Sequence, residues 1–111
     1  MTTYIPEAGD FVWLNFEPQA GREMKKQRPA LTLSPRGYNQ KTSLGIFVPI
    51  TSKIKGYPFE VATCSDAVHG VILADHVKSL DWEQRAARFI APCSESVMRE
   101  VRTKLSLLIM G

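Results

Sequence analysis

The feature that most constrains the fold is a succession of short apolar runs with the two-residue period of β-strands. Residues 28–34 alternate, with Leu31 and Leu33 on one face, and residues 44–50 alternate in the same way. Further strand candidates span residues 10–16, 57–63, 70–74, 77–82 and 85–91. Short strands of this kind, separated by glycine and proline turns, predict a small, strongly bent antiparallel sheet or barrel.

Three connecting stretches interrupt these runs. Residues 17–27 contain Pro18 and Gly21 among polar side chains, which predicts a loop that is long for a hairpin and often functional. Residues 34–43 contain Pro35, Gly37 and Asn39, a composition typical of turns. Residues 51–56 are predicted as a third loop, which carries the positive charges of Lys53 and Lys55.

The period changes near the C-terminus. Val97, Val101, Leu105 and Leu108 recur at intervals of four, four and three residues, and Ser94 is a suitable N-cap. This pattern predicts a helix over residues 94–110. Together with the strands, it predicts one mainly β domain with a C-terminal helix, covering the whole 111-residue chain.

Composition excludes several classes of protein. No apolar run approaches the roughly 18 to 20 residues of a membrane span, and no basic segment followed by an apolar one opens the chain. We therefore expect a cytoplasmic protein, with Cys64 and Cys93 as reduced thiols. His69 and His76 fit no common metal-ligand spacing, and CxxC, HExxH, GxSxG and P-loop motifs are absent. Chemistry without a metal or other cofactor is expected.

Basic residues are concentrated in residues 22–55, which hold eight lysines and arginines and one acid, Glu23. This stretch carries +7 and the whole chain +3, so the remaining residues carry −4. Such asymmetry within one domain predicts a polyanionic partner. A solvated basic face without a partner is the alternative that charge alone leaves open.

Arg28 and Thr51 lie at strand ends, on the faces opposite Leu31 and Ile50. They can therefore meet on a shared polar surface, where an arginine suits phosphate and a threonine hydroxyl can donate to it. Glu23 can accept a proton. A solvated strand-end arginine, a turn-forming threonine and a glutamate that offsets lysines are the alternatives.

Six short motifs occur in order along the chain. They are GDFVW at 9–13 with Phe16, QRPA at 27–30, LSP at 33–35, PITS at 49–52, GYPFEV at 56–61 and GVILADHVKSLDW at 70–82. In this order and spacing they resemble the MazF/PemK family of toxin–antitoxin endoribonucleases. The resemblance runs from about residue 5 to residue 110.

The resemblance implies an SH3-like small barrel of the CcdB/MazF/PemK type with a C-terminal helix, assembled as a homodimer. It implies a type II toxin that cuts single-stranded RNA, including mRNA, sequence-specifically, without a metal and without the ribosome. The products expected are 2′,3′-cyclic phosphate and 5′-OH ends, and the outcome is inhibited translation and growth. A cognate antitoxin with an acidic, disordered tail is expected to occupy the RNA groove.

The same resemblance implies roles for particular residues. Arg28 and Thr51 match the catalytic positions of the family, and Glu23 matches an acid in the preceding loop. We expect the remaining RNA contacts from lysines, motif residues and two base readers: Lys25, Lys26, Lys53, Lys55, Phe16, Gln27, Ser52, Asn39 and His76.

One departure from the family concerns RNA choice. His76 stands where the family more often has glutamine, and residues 62–69 also differ. We therefore expect these positions to affect which RNA sequence is cut. Two other functions remain open at this point: a CcdB-like gyrase poison that cuts no RNA, and an RNA-binding barrel without catalysis.

Overall fold

Seven strands and two helices make up residues 4–16 and 27–111, the part of the chain that the computed structural model describes. In chain order they are β1 Asp10–Asn15, β2 Gln27–Thr32, α1 Arg36–Thr42, β3 Leu44–Thr51, β4 Glu60–Ala62, β5 Val71–Leu73, β6 Lys78–Asp81, β7 Arg88–Pro92 and α2 Glu95–Met110. The predicted mainly β fold with a C-terminal helix is confirmed.

The strands form one antiparallel sheet in the order β4-β5-β3-β2-β1-β7, and β6 also pairs with β3. The first half of β3 pairs with β6 and its last two residues, Ile50 and Thr51, pair with β5. Pro49 lies where β3 changes partner, a position at which its missing N–H costs no ladder bond. The outer strands β4 and β7 do not pair with each other in the described part of the chain, so the sheet is barrel-like but open.

Two apolar clusters bury both faces of the central strands. One contains Phe11, Leu31 and Val48 and is covered by Val97 and Val101 of α2. The other contains the residues of opposite parity and the indole that follows β6: Val12, Leu14, Ala30, Phe47, Leu80 and Trp82. The face away from Leu31 is therefore a second core rather than a polar surface, because the bent sheet encloses it. Side chains of that parity become available only where the strands end.

Helix α2 begins as the sequence predicts. The hydroxyl of Ser94 accepts a hydrogen bond from the N–H of Val97 at 3.2 Å, and Glu95 stands in the first turn. Val97, Met98 and Val101 are buried against the sheet. The strand predicted over residues 57–63 is shorter than expected, since only Glu60–Ala62 pair with β5.

Residues 34–43, predicted as turns, contain the short helix α1 instead. Pro35 is its N-cap, and Ser43, with φ of 61°, ends it in the left-handed region. The helix is held at its centre by Asn39, which is fully buried. Its formation therefore depends on tertiary contact, which a local sequence pattern does not reveal.

Candidate active site

A groove of about 500 Å³ opens where β2 begins and β3 ends. Its walls come from strand ends, from the loop after β3 and from the turn before β6: Phe16, Arg28, Pro49, Ile50, Thr51, Lys53, Lys55, Tyr57, Glu60, Leu73, His76 and Lys78. Among these lining residues one arginine and three lysines face a single acid, Glu60. The groove is therefore positively charged and suited to a polyanion.

Strand register brings Arg28 and Thr51 to the same place. β2 and β3 pair with Ala30 opposite Pro49. Arg28 lies two residues before Ala30 and Thr51 two residues after Pro49, so both side chains keep the parity of this pair and lie on the same face of the sheet. The paired segment ends at Ala30 and Pro49, and beyond it both side chains line the groove.

The hydroxyl of Thr51 has a defined orientation. It accepts a hydrogen bond from the backbone N–H of Lys53 at 3.1 Å. Its own proton can therefore be donated to a ligand in the groove. The backbone of Thr51 is fixed as well, because Thr51 pairs with Val71 and its carbonyl lies directly against Gly70.

The loop after β3 adds an aromatic ring to the groove. Tyr57 is 61% exposed, and the ammonium of Lys55 lies 5.9 Å from the centre of its ring. An exposed ring beside a cation, in a groove of positive charge, is a suitable surface for stacking a nucleobase.

The sequence of residues 7–109 matches the family described as PemK-like, MazF-like toxin of type II toxin-antitoxin system. The chain belongs to this family. It is 39% identical over 109 residues to the protein named endoribonuclease toxin MazF of Escherichia coli strain K12, covering 98% of each chain.

Solved structures agree with the sequence relationship. A crystal structure of MazF from Deinococcus radiodurans is 51% identical, has a TM-score of 0.88, and is matched over 98% of this chain and all of that one. A crystal structure of MazE-MazF from the same organism is 47% identical with a TM-score of 0.87, over 96% of this chain and 97% of that one. The same fold is thus present in MazF crystallised alone and in MazF crystallised with MazE.

Six of the residues that the sequence singled out line the groove: Phe16, Arg28, Thr51, Lys53, Lys55 and His76. Ser52 is exposed beside Thr51 but is not one of the lining residues. Glu23, Lys25 and Lys26 lie outside the described residues. The structure therefore gathers one part of the predicted site and leaves the part carried by residues 17–26 as a prediction.

Gln27 is placed away from the groove. It pairs with Asn15, on the sheet face opposite to Arg28. Its side-chain amide donates to the carbonyl of Ala86 at 3.1 Å, and its oxygen accepts from the guanidinium of Arg88 at 2.7 Å. Both ends of the carboxamide are occupied within the chain, which does not favour the predicted contact with RNA.

Asn39 was predicted to read a base, and this is wrong. Its side chain is 0% exposed. Its amide nitrogen donates to the carbonyls of Pro6 and Ser34 at 2.8 and 3.0 Å, and its oxygen accepts from the Ser34 hydroxyl. A fully buried and fully bonded carboxamide has no group left for RNA.

Among the charged and aromatic residues that line the groove, sequence reasoning missed three: Tyr57, Glu60 and Lys78. Tyr57 and Glu60 lie within the GYPFEV motif, so the motif was a signal for them. Lys78 lies within the GVILADHVKSLDW motif, and it reaches the groove because β6 pairs with β3, with Lys78 opposite Phe47.

The two cysteines are free thiols, with Cys64 exposed and Cys93 half-buried. Burial raises the pKa of Cys93 to about 11, and nearby Cys64 acts in the same direction. Cys93 is therefore a thiol rather than a reactive thiolate at neutral pH. In the described part of the chain, no three His, Cys, Asp or Glu residues are grouped as metal ligands would be. No helix there is both long and apolar enough to cross a membrane.

Proposed function

We propose that this protein is the toxin of a type II toxin–antitoxin system, acting as a metal-independent and ribosome-independent endoribonuclease on single-stranded RNA. The observation that carries the proposal is the placement of Arg28 and Thr51 in one positively charged groove. Membership of the PemK-like, MazF-like family supports it, as do relatives that are named endoribonucleases. Cutting of mRNA in the cytoplasm then inhibits translation and growth.

The reaction we propose uses the 2′-OH of the RNA as the nucleophile. Its attack on the adjacent phosphate breaks the bond to the 5′ oxygen, which takes up a proton from water, and leaves a 2′,3′-cyclic phosphate and a 5′-OH end. Arg28 stabilises the negative charge of the phosphorane by charge and paired donation. Thr51 donates its hydroxyl proton to a phosphate oxygen, while the N–H of Lys53 holds that hydroxyl in place.

Removal of the 2′-OH proton requires a base. Glu60, the one acid among the described residues that line the groove, is poorly suited, because its two oxygens already accept hydrogen bonds from the backbone N–H groups of Lys55 and Gly56. Glu23 therefore remains the base that we propose. Arg28 is unsuited to this role because a guanidinium stays protonated and has no lone pair with which to accept a proton.

The charge of the groove also suits a protein partner. An acidic, disordered antitoxin tail would meet the same cations, Arg28, Lys53, Lys55 and Lys78, as the RNA backbone does. We propose that such a tail inhibits the toxin by occupying the groove, and that the toxin itself acts as a homodimer.

The proposal is tested by incubating the purified protein with a long RNA and mapping the ends of the products. We expect cuts at one short sequence, with 2′,3′-cyclic phosphate and 5′-OH ends, and unchanged cutting in excess EDTA. Cutting that stops in EDTA and returns with magnesium would contradict the metal-free mechanism. Bound but intact RNA would identify a non-catalytic barrel. Inhibition of gyrase with intact RNA would identify a CcdB-like poison.

A further inference from the structure

The loop that carries the groove lysines has little apolar burial to fix its shape. We call residues 52–59 the basic loop. It lies between β3 and β4, and residues 52–58 are all exposed, with Ile54 67% exposed. Hydrogen bonds must therefore determine its conformation, since packing does not.

Glu60 supplies two of these hydrogen bonds. One carboxylate oxygen accepts from the backbone N–H of Lys55 at 3.1 Å, and the other accepts from Gly56 at 2.9 Å. Gly56 has φ of +81°, a left-handed conformation that turns its N–H toward the acid at the cost of backbone freedom. The carboxylate of Glu60 thus holds the loop backbone at Lys55, one of the lysines that line the groove.

Glu60 is itself firmly placed. It opens β4 and pairs with Leu73 of β5, and its N–H donates to the carbonyl of Tyr57 at 3.1 Å. From the other side, the ammonium of Lys104 in α2 donates to the carbonyl of Pro58 at 2.5 Å. The basic loop is therefore attached to the sheet and to the helix, with Glu60 at the junction.

Glu60 is an acid in the wall of a groove that we propose binds RNA phosphates, and its charge and its hydrogen bonds have opposite effects on the affinity for RNA. Its charge repels phosphate, so simple electrostatics predicts that removing it tightens RNA binding. We propose instead that Glu60 is a positioning residue, which holds the basic loop so that Lys53 and Lys55 face the RNA backbone. The inference rests on the proposed function, and it predicts weaker binding when the acid is removed.

The test is the salt dependence of binding to a short, fluorescein-labelled single-stranded RNA of mixed sequence with 2′-O-methyl riboses, which cannot be cut. Each phosphate contact on a single strand contributes about 0.7 to the log–log salt slope. Loss of the Lys53 and Lys55 contacts in Glu60→Ala should therefore reduce the magnitude of the slope by about 1.4. A variant that merely unfolds in part binds less in total but keeps the slope.

Two further variants complete the comparison. Glu60→Gln also removes the charge but keeps one acceptor oxygen, so we expect a smaller reduction than with Glu60→Ala. Glu83→Ala removes one acid from the turn after β6, beside the Leu44 end of β3 and remote from Thr51. It should leave the slope unchanged.

The possible results distinguish failure of the positioning role of Glu60 from failure of the proposed function. An unchanged slope in Glu60→Ala, or tighter binding by both Glu60 variants, overturns the positioning role and leaves the proposed function intact. Absence of salt-dependent RNA binding by the wild-type protein overturns the proposed function, and the inference with it.

Discussion

At the scale of single residues, Asn39 bonds to parts of the chain that are far apart in sequence. Its partners Pro6 and Trp82 are 33 and 43 positions away, and the indole N–H of Trp82 donates to its carbonyl at 2.9 Å. The sequence suggested an exposed residue because asparagine near glycine and proline is typical of turns. Contacts at such separations leave no local pattern, so burial of this residue could not be predicted.

The role of Asn39 gives a stability prediction. Asn39→Ala leaves buried groups of Pro6 and Ser34 without partners, which costs about 1 to 3 kcal/mol for each unsatisfied group. With two carbonyls left unsatisfied, we expect the free energy of unfolding in urea to fall by about 2 to 6 kcal/mol. The rate of RNA cutting per folded molecule should stay at the wild-type value. A large loss of cutting in fully folded protein, with altered sequence preference, would return Asn39 to the set of base readers.

Tyr57 gives a binding prediction. A nucleobase stacked on an aromatic ring contributes about 1 to 3 kcal/mol, so Tyr57→Ala should raise the dissociation constant roughly 5- to 150-fold. Tyr57→Phe should bind like the wild type. Tyr38, also exposed but located on α1, provides the control Tyr38→Ala. Equal affinities of Tyr57→Ala and Tyr38→Ala for 2′-O-methyl RNA would exclude stacking at this ring.

At the scale of elements, strand parity was informative, whereas the sequence pattern did not reveal the short helix α1. Parity placed Arg28 on the face opposite Leu31, whereas Gln27, which was also predicted to contact RNA, lies on the opposite face of β2 from Arg28. The helix α1 was missed because Gly37 and Asn39 are weak helix formers, and seven residues are too few to be stable alone. The two-residue period of a strand can be recognised in the sequence itself, whereas the stability of a short helix depends on the residues against which it packs.

The contact between β5 and β3 gives a prediction about catalysis. Gly70 has φ of +134°, and a Cβ there would lie 2.3 Å from the carbonyl oxygen of Thr51. Gly70→Ala must therefore displace the backbone of Thr51, and a displacement near 1 Å lowers rates by about 10²-fold. We expect a loss of that order in single-turnover cutting, corrected for the folded fraction by circular dichroism.

Gly37→Ala is the matched control for Gly70→Ala. Gly37 lies in α1 without a positive φ, and a Cβ at this position would meet no neighbouring group within 4 Å. Alanine there should leave cutting unchanged and stabilise the protein by about 0.5 to 1 kcal/mol, as in helix interiors. Equal cutting by the two variants would show that the position of the Thr51 backbone does not limit the reaction.

At the scale of the whole molecule, the charged surface differs from the charged stretch of the sequence. Arg36 and Lys41 belong to residues 22–55 but lie on α1, and neither is among the groove-lining residues. Lys78 lies outside that stretch and joins the groove through β6. Sequence therefore predicted the sign of the partner's charge, while the sheet topology determines which cations meet it.

Features of the fold that arise from local interactions could be predicted from the sequence, whereas features that depend on contacts between distant residues could not. The mainly β fold, the C-terminal helix and its Ser94 cap arise from periodicity and local hydrogen bonding, and all three were predicted. The pairing of β2 with β3 brings Arg28 and Thr51 to one groove. Strand parity allowed this meeting and the family motifs indicated the same two residues, but neither could establish the pairing of the strands. The second core around Phe47 was missed, because period alone cannot show that a bent sheet buries both of its faces.

The central claim, that Arg28 carries the chemistry of an RNA-cutting groove, is tested most directly by single-turnover cutting with Arg28→Ala. Loss of one transition-state donor costs about 10² to 10³ in rate, and we predict a loss of that size or more with an unchanged circular dichroism spectrum. Arg102→Ala, which removes an exposed arginine of α2, should cut like the wild type. A wild-type rate in Arg28→Ala would contradict the account.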